Sequence, residues 1–474
     1  MTLVVPSWIA GRDAGAADPV FDFRAPQTDG VAFAITEASA ATVDAAVRSA
    51  HAAYLQVRKA PAATRIAWLE AAAARLATEA DRVAELICAD VGKPLRVAKF
   101  ETMRGVQFLR ACASALQHFT GEVVPVDAAA LGAGHFGFTR HMPYGVVAGI
   151  TPFNAPVNLL VQKVGPALAA GNAIVVKPHP AGLRTARAVA EILLASGLPE
   201  GLCNVVSGDR AAAASLASHP LVRAVTFTGG TAGGQALMRE AGAKKFLAEL
   251  GSNAANVVLA DADLADAAKK IAGAAFEASG QQCISAQRVI VEAPAYERFV
   301  PLFVDAAQRL RVGPARDDAT DVGPMVSLQA ADRVMAMCAD AIARGARYAL
   351  EPRRDGCIVS PAILLDVPRE ARLWTDEVFG PVALVASVAD IDAAVDAAND
   401  SPFGLQGAVF TASLAAAFRF AEDFEVGSLW VNEASRFRLD MYPFGGVKES
   451  GIGREGVRYA IEEMTQLRFV GIKP

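Results

Sequence analysis

No CxxC pair occurs in this 474-residue chain, and its six cysteines lie scattered along it. Scattered cysteines are typical of free thiols in a reducing compartment, and the missing pairs argue against a structural zinc site. The six histidines form no pair at the helical spacing that a metal site uses, so we predict no bound metal. No basic run stands out and the net charge is −5, which gives no electrostatic support to a nucleic-acid or anionic-membrane partner.

Long apolar runs are missing as well. No stretch reaches the roughly 18 residues that a membrane-spanning helix requires. The first residues lack the basic start of a signal peptide, and P-loop, HExxH and GxSxG motifs are absent. Hydrophobic residues nevertheless make up 53% of the chain and charged residues 20%, which is enough apolar material for large cores. We therefore predict a cytoplasmic protein with two or three cores.

Residues 41–120 carry helical periodicity, and Pro61 and Pro94 stand where new helices would begin. From Gly145 onward, short β-branched runs alternate with alanine-rich helical stretches. The first runs are 146–150, 172–178, 204–208, 224–229, 246–250 and 256–261. This alternation predicts an α/β fold with a parallel, doubly wound sheet, and its return from residue 287 to residue 431 predicts a second α/β domain.

The segment 121–144 has no helical period and predicts a hairpin that leaves the body of the domain. The residues from Phe444 onward are candidates to pair with it, in the same chain or in another subunit. Two GxGxxG matches, beginning at Gly132 and Gly451, lack the strand-turn-helix context of a dinucleotide site. We interpret both as turn and hairpin glycines.

The region 224–288 contains a candidate ligand-binding turn and two candidate catalytic residues. Gly229 and Gly230 follow a β-branched run and precede a helical stretch, which favours either a phosphate-binding turn or an ordinary βα turn. Glu249 ends an apolar run, where a carboxylate is unfavourable unless it is paired or functional. Cys283 lies among glycine, glutamine and serine, unlike a core cysteine, so it is a candidate nucleophile.

Glu249 in LAELGSN and Cys283 in GQQC resemble the paired signatures of the aldehyde dehydrogenase superfamily. The resemblance covers nearly the whole chain. Further motifs follow in the family order, namely TPFNAP (151–156), VVKP (175–178), GLPEGLCNVVSG (197–208), FTGG (227–230), DEVFGPV (376–382) and PFGGVKESGIGREG (443–456). The combination is highly specific, although each motif alone is modest evidence.

The resemblance implies NAD(P)-dependent oxidation of an aldehyde to the carboxylic acid through a cysteine thiohemiacetal and a thioester. Cys283 would be the nucleophile, Asn154 an oxyanion donor, and Glu249 the base that activates the hydrolytic water. The rivals are a CoA-acylating semialdehyde dehydrogenase and a non-catalytic structural or binding relative on the same fold. The joint presence of the three residues argues against the non-catalytic relative, and Glu249 argues against the acylating enzyme.

By the same resemblance, Lys177 would contact the adenosine ribose, and Glu377 would hold the nicotinamide ribose with Phe379 beside the ring. Taken alone, Lys177 is compatible with a surface lysine and Glu377 with a carboxylate near a helix start. Thr151, Phe153 and the turn at 229–230 would complete the cofactor site. Many NAD-preferring members carry a glutamate three residues after the lysine, where Pro180 stands here. We expect NAD as the cofactor, with NADP left open.

The substrate evidence is thinner. CISAQR and the C-terminal motif resemble the branch that acts on small polar aldehydes, including lactaldehyde and phosphorylated, phosphonate or sulfonate aldehydes. Arg104, Arg436 and Arg438 are candidate anion contacts, because arginine pairs bidentately with such groups. Solvated surface arginines are an equally good interpretation of each. Gln282, where phosphoryl-binding members often have arginine, weakens the case for a phosphate.

The resemblance also implies the domain organisation. Residues 1–120 and 142–251 would form the NAD(P)-binding domain and residues 252–431 the catalytic domain. Residues 121–141 and 432–474 would form a small β element through which a homodimer or homotetramer assembles.

Overall fold

The computed structural model describes residues 2–26 and 30–474. Its first half begins with the predicted helical region, and Pro61 and Pro94 each stand directly before a helix, as the sequence indicated. The helices of this region are Ala40–Val57, Ala62–Thr78, Ala80–Val91 and Leu95–Ala115. The short strands Val4–Val5, Val20–Arg24 and Val31–Thr36 form a small sheet beside them.

The first large sheet has eight strands, five of them parallel at its centre. In spatial order these are Gly451–Ile452, Lys245–Glu249, Val222–Thr228, Val146–Thr151, Ala173–Pro178, Cys203–Val205, Ser7–Ile9 and Arg12–Ala14. The crossover helices are Asn158–Ala170, Leu183–Ala195, Arg210–Ser218 and Thr231–Ala241. The parallel order confirms the predicted doubly wound α/β sheet. The carboxyl ends of its strands carry the segments at 151–154, 177–179 and 229–230.

The second large sheet has seven strands. In spatial order these are Arg347–Leu350, Ala362–Leu365, Val382–Val388, Arg288–Glu292, Ala255–Val258, Gln406–Phe410 and Ser428–Val431. Its helices are Leu264–Phe276, Ala293–Gln308, Leu328–Ala343, Arg372–Thr375, Ile391–Asn399 and Leu414–Asp423. The predicted run at 256–261 does not continue the first sheet. It opens this one, because its backbone pairs with Arg288–Glu292 and Gln406–Phe410.

A three-stranded sheet projects from these layers and consists of Val123–Val124, Phe136–Pro143 and Thr465–Ile472. The C-terminal strand pairs antiparallel with Phe136–Pro143 over its whole length, within the same chain. The helix Val457–Glu463 leads into it. Two further antiparallel pairs join Arg354–Asp355 to Ile358–Val359 and Phe403–Gly404 to Val447–Lys448.

Within residues 2–26 and 30–474, no helix has both the length and the apolar character needed to cross a membrane. The same residues contain no group of three or more His, Cys, Asp or Glu side chains arranged to hold a metal ion.

Candidate active site

Cys283 lies at the end of a tight backbone loop between the helix Leu264–Phe276 and the strand Arg288–Glu292. Ala278, Ser279 and Gly280 have consecutive left-handed φ angles of 52°, 60° and 61°. The Ser279 hydroxyl donates to the Gly323 carbonyl at 2.7 Å and secures the loop. A Cβ at Gly280 would stand 2.2 Å from the Gly380 carbonyl oxygen, so this position requires glycine. Left-handed non-glycine residues are costly and cluster at functional sites.

The Cys283 thiol is half-buried, and burial raises its pKa to about 12, against the opposing effect of the Arg438 charge. The nearby carboxylates of Glu377, Glu249 and Glu455 raise the pKa further. The resting side chain is therefore a thiol at neutral pH, and it needs a change in its surroundings to become a nucleophile.

Asn154 follows the strand Val146–Thr151, and the next residues enter the helix Asn158–Ala170. Its side chain is buried, and its Oδ1 atom has no hydrogen-bond partner. Glu101 supports this turn from the helix Leu95–Ala115, because one of its oxygens accepts from the Val157 amide at 2.8 Å and from the Asn158 amide at 3.3 Å. A buried ion pair with Lys93 holds Glu101 in turn. The carboxylate thus satisfies free amides at the positive end of a helix and fixes the turn that carries Asn154.

Cys283 and Asn154 line a cavity of about 540 Å³, together with all three arginines proposed from the sequence. Arg104 donates to Asp440 at 2.7 and 3.2 Å. Arg436 donates to Glu277 at 2.6 Å and to Gln282 at 2.9 Å. The structure therefore brings two predicted catalytic residues and the three predicted anion contacts into one cavity.

Arg438 is nearly buried and donates to Glu455 at 3.0 Å, while its guanidinium lies 3.6 Å from the centre of the Phe444 ring. Its Nε atom is buried without a partner. The side chains of Arg104, Arg436 and Arg438 are 20%, 22% and 7% exposed, which favours a place in the cavity wall over a solvated surface position. Their role as anion contacts stays a prediction.

Glu249 ends its strand behind this chamber. It is 5% exposed, and its Oε2 atom has no partner. Burial and the neighbouring charge of Glu455 raise the pKa of Glu249 well above its usual value. Lys163 reaches the same pair, with its ammonium 3.1 Å from a Glu455 oxygen. Although burial opposes ionisation of Glu455, Lys163 and Arg438 hold its pKa below the ordinary value. The surroundings thus shift the pKa values of the two carboxyl groups in opposite directions, which makes Glu249 the better candidate to exchange a proton.

The residues predicted to hold a nicotinamide cofactor lie at the carboxyl ends of the first sheet and on the facing loop of the second sheet. Phe153 and Phe379 are in edge contact, with ring centres 5.8 Å apart. Glu377 accepts from the Ser252 amide at 3.0 Å, and burial raises its pKa to about 7. Phe379 has a left-handed φ of 47°, a further sign of a constrained loop.

The glycine turn fits a phosphate group. Gly230 directly precedes the helix Thr231–Ala241, and a Cβ built on it would meet nothing within 4 Å. Open space thus lies in front of helix amides that have no partners in the helix, a favourable place for an anion. Lys177 is buried on the neighbouring strand, and burial lowers its pKa to about 8. The residues present therefore fit a bound dinucleotide.

Several polar residues at the site were not predicted from the sequence. They are Lys93, Glu101, Asn158, Gln162, Lys163 and Glu455. One signal was available, because Asn158, Gln162 and Lys163 interrupt a helix in which every residue is buried. Buried polar groups are usually hydrogen-bonded or functional. No comparable pattern marks Glu101 or Glu455.

Comparison with known proteins agrees with this geometry. A family model described as the aldehyde dehydrogenase family matches residues 13–470. A 3-sulfolactaldehyde dehydrogenase of Priestia aryabhattai is 41% identical over 400 residues, 84% of each chain. The lactaldehyde dehydrogenase structure from Escherichia coli superimposes with a TM-score of 0.96 at 30% identity, and the match covers 100% of both chains. The structure of an NADP-dependent glyceraldehyde-3-phosphate dehydrogenase from Bacillus halodurans, solved with NADP, superimposes with a TM-score of 0.96 at 31% identity, and the match covers 99% of both chains.

The matched segment includes Asn154, Glu249 and Cys283, and it extends through the C-terminal segment that carries Glu455. The chain therefore belongs to the aldehyde dehydrogenase family, and it is an oxidoreductase that acts on an aldehyde with NAD or NADP as cofactor.

Proposed function

We propose that this enzyme oxidises a small anionic aldehyde to the corresponding carboxylic acid, with Cys283 as nucleophile. The observation that carries the proposal is the single cavity that Cys283 and Asn154 share with Arg104, Arg436 and Arg438. A nucleophile, an oxyanion donor and several guanidinium groups within one chamber suit a substrate with a carbonyl at one end and an anionic group at the other.

In this mechanism the Cys283 thiol releases its proton to solvent, and its sulfur adds to the carbonyl carbon while the Asn154 amide and the Cys283 backbone N–H stabilise the oxyanion. When bound, the nicotinamide cofactor supplies a hydride acceptor. Loss of the hydride with its electron pair leaves a thioester on Cys283. Glu249 then takes a proton from water, the resulting hydroxide attacks the thioester, and the acid departs as the thiol is restored. A buried base with an unpartnered oxygen supports hydrolysis over transfer to CoA.

If the substrate carries an anionic group that contacts Arg104, Arg104→Ala should raise the KM for an anionic aldehyde by about 10- to 100-fold, because a charge-assisted contact is lost. The change also leaves Asp440 without its arginine partner, and an unpaired carboxylate repels an anion. Steady-state kinetics with a sulfonated aldehyde and with propanal would measure the difference. Arg110→Ala, an exposed position on the same helix, is the matched control. Equal effects on both aldehydes would remove Arg104 from the substrate site.

We infer that NAD is preferred over NADP, and that Glu37 supplies part of this preference. Pro180 stands where a ribose-binding carboxylate was expected, yet the charges of Asp209 and Glu37 both act on Lys177. Glu37 accepts from the Asp209 amide at 2.8 Å, and its other oxygen has no partner. A 2′-phosphate near Lys177 would therefore meet two carboxylates as well as one ammonium.

The cofactor proposal predicts that Glu37→Gln raises the ratio of kcat/KM for NADP to that for NAD by about three- to tenfold, since one repulsive charge is removed. Initial rates with each cofactor at a saturating aldehyde concentration would provide the ratio. Glu200→Gln, an exposed carboxylate elsewhere in the first domain, should leave it unchanged. An unaltered ratio in Glu37→Gln would place the carboxylate outside the ribose site.

We also propose the assembly and location implied by the family resemblance. The NAD(P)-binding domain would comprise residues 1–120 and 142–251, the catalytic domain 252–431, and the assembly element 121–141 with 432–474. The edge strand Thr465–Ile472 exposes Leu467 and Phe469, which supports a homodimer or homotetramer built on it. Light scattering of the purified protein would determine the state. The free cysteines Cys112, Cys203, Cys283 and Cys338 support a reducing, cytoplasmic environment.

A further inference from the structure

The helix Asn158–Ala170 carries three polar side chains near its start, and two of them are fully accounted for by contacts. Lys163 donates to Thr228 at 2.7 Å and to Glu455 at 3.1 Å. Gln162 donates to Asp440 at 3.2 Å and accepts from Arg438 at 3.2 Å. Asn158 differs, because its Oδ1 atom is buried and has no partner. A buried acceptor without a donor is unfavourable, so this one calls for an explanation.

Asn158 occupies a defined place in the chamber. It is 6% exposed and lines the cavity that also holds Cys283 and Asn154. Its backbone amide donates to Glu101 at 3.3 Å, which fixes the first turn of the helix. Residues four positions apart lie on one face of a helix, about 6 Å along its axis. Asn158 opens the helix, and Gln162, which contacts Arg438, follows one turn later, whereas the proposed oxyanion donor Asn154 lies in the turn before the helix.

This order along the chain matches the order of groups in a short substrate. With the carbonyl at Asn154 and the anionic group at the arginines, we expect the substrate carbon between them to lie beside Asn158, which lines the same cavity. The unpartnered atom is an acceptor, so a carboxylate or sulfonate cannot satisfy it, whereas a hydroxyl group can. An ammonium group would also donate, but there it would lie among Arg104, Arg436 and Arg438 and be repelled.

We propose that Asn158 is a specificity-determining residue that accepts a hydrogen bond from a hydroxyl group on the carbon adjacent to the aldehyde. The proposal rests on the proposed function and narrows its substrate class to 2-hydroxyaldehydes that carry an anionic group. The hydroxyl supplies the donor that the buried Oδ1 atom lacks.

The test compares matched aldehydes with the full-length enzyme and saturating NAD. One pair is 2-hydroxy-3-sulfopropanal and 3-sulfopropanal, and the other is lactaldehyde and propanal. We expect kcat/KM to favour the hydroxylated member of each pair by about 10- to 100-fold, as for one buried hydrogen bond. Asn158→Leu should reduce this preference to near unity, and Asn158→Ser, which keeps an acceptor, should restore part of it. Leu159→Ala changes the volume of the same wall without an acceptor and should preserve the ratio.

The outcomes separate the two proposals. If the wild-type enzyme prefers anionic aldehydes but shows no preference for the hydroxyl group, the role of Asn158 is overturned while the proposed function stands. If neither anionic aldehyde is favoured over its neutral counterpart, the proposed substrate class fails instead. A hydroxyl preference that survives in both Asn158→Leu and Asn158→Ser would assign recognition to another residue. NAD binding measured by fluorescence in each variant reports whether it has folded.

Discussion

Cys283→Ala is expected to reduce aldehyde-dependent NADH formation to less than about 10⁻⁴ of the wild-type rate, because a methyl group can neither add to the carbonyl nor carry the acyl group. The cofactor should still bind, since the proposed cofactor contacts lie on other segments. Stopped-flow absorbance at 340 nm would measure the residual rate, and protein fluorescence would follow NAD binding. The variant retains the left-handed residues before position 283, so its loop should keep its shape.

Cys203→Ala is the matched control for this experiment. Cys203 is another free cysteine, and burial raises the pKa of its thiol to about 12, as it does for Cys283. It lies on a strand of the first sheet and does not line the cavity. Full activity in the control combined with inactivity in Cys283→Ala would assign the chemistry to one thiol. Substantial turnover by Cys283→Ala would sink the covalent mechanism.

Glu249→Gln is expected to produce a burst of one NADH per active site followed by turnover slowed by about 10²- to 10⁴-fold. The amide cannot deprotonate water, so the acyl group should remain on Cys283. Intact-protein mass spectrometry after quenching would detect it as an added mass. Glu70→Gln, an exposed helical position, is the control. An absent burst would mean that Glu249 acts before hydride transfer, as the base that activates the thiol.

The same residue predicts a pH dependence. Burial and the charge of Glu455 raise the pKa of Glu249 well above its ordinary value, which favours the protonated carboxyl group. Only the carboxylate acts as a base, and turnover limited by thioester hydrolysis should therefore rise as the pH rises through this raised pKa. Glu249→Gln should lose this limb of the profile. A profile shared by both proteins would assign the titration to another group.

The sequence predicted single residues of the site, but it did not predict the residues that contact them in the structure. Cys283 and Glu249 could be singled out because each stands at the end of a recognisable strand or helix, in a local context that a core residue would not have. The parallel sheet followed from alternating runs in the same way. Asn154 was indicated only by the family resemblance. The pKa shifts of Cys283 and Glu249 could not be predicted from the sequence, because they depend on burial and on charges from distant segments.

The partners that complete the site lie far apart in the chain. Lys163 and Glu455 are 292 positions apart, and Arg104 and Asp440 are 336 apart. Such ion pairs depend on how the segments pack in three dimensions. A single sequence does not indicate which lysine pairs with which glutamate. The alternating pattern alone grouped the run 256–261 with the first strands, whereas the family resemblance placed it in the segment 252–431. The pattern could not decide, since a buried strand shows its β-branched side chains but not its neighbour.

The separation between Lys163 and Glu455 has a consequence for the order in which the enzyme is made. Ribosomes add about 5–20 residues per second, so Glu455 emerges roughly 15–60 s after Lys163. During that interval the Lys163 ammonium has no carboxylate partner, and burying it would be costly. The nascent chain thus acquires its nucleophilic cysteine first, and the buried acid–base cluster beside it forms only after residue 455 has been synthesised. A nascent chain that includes Cys283 but not Glu455 therefore has the thiol without the complete acid–base cluster.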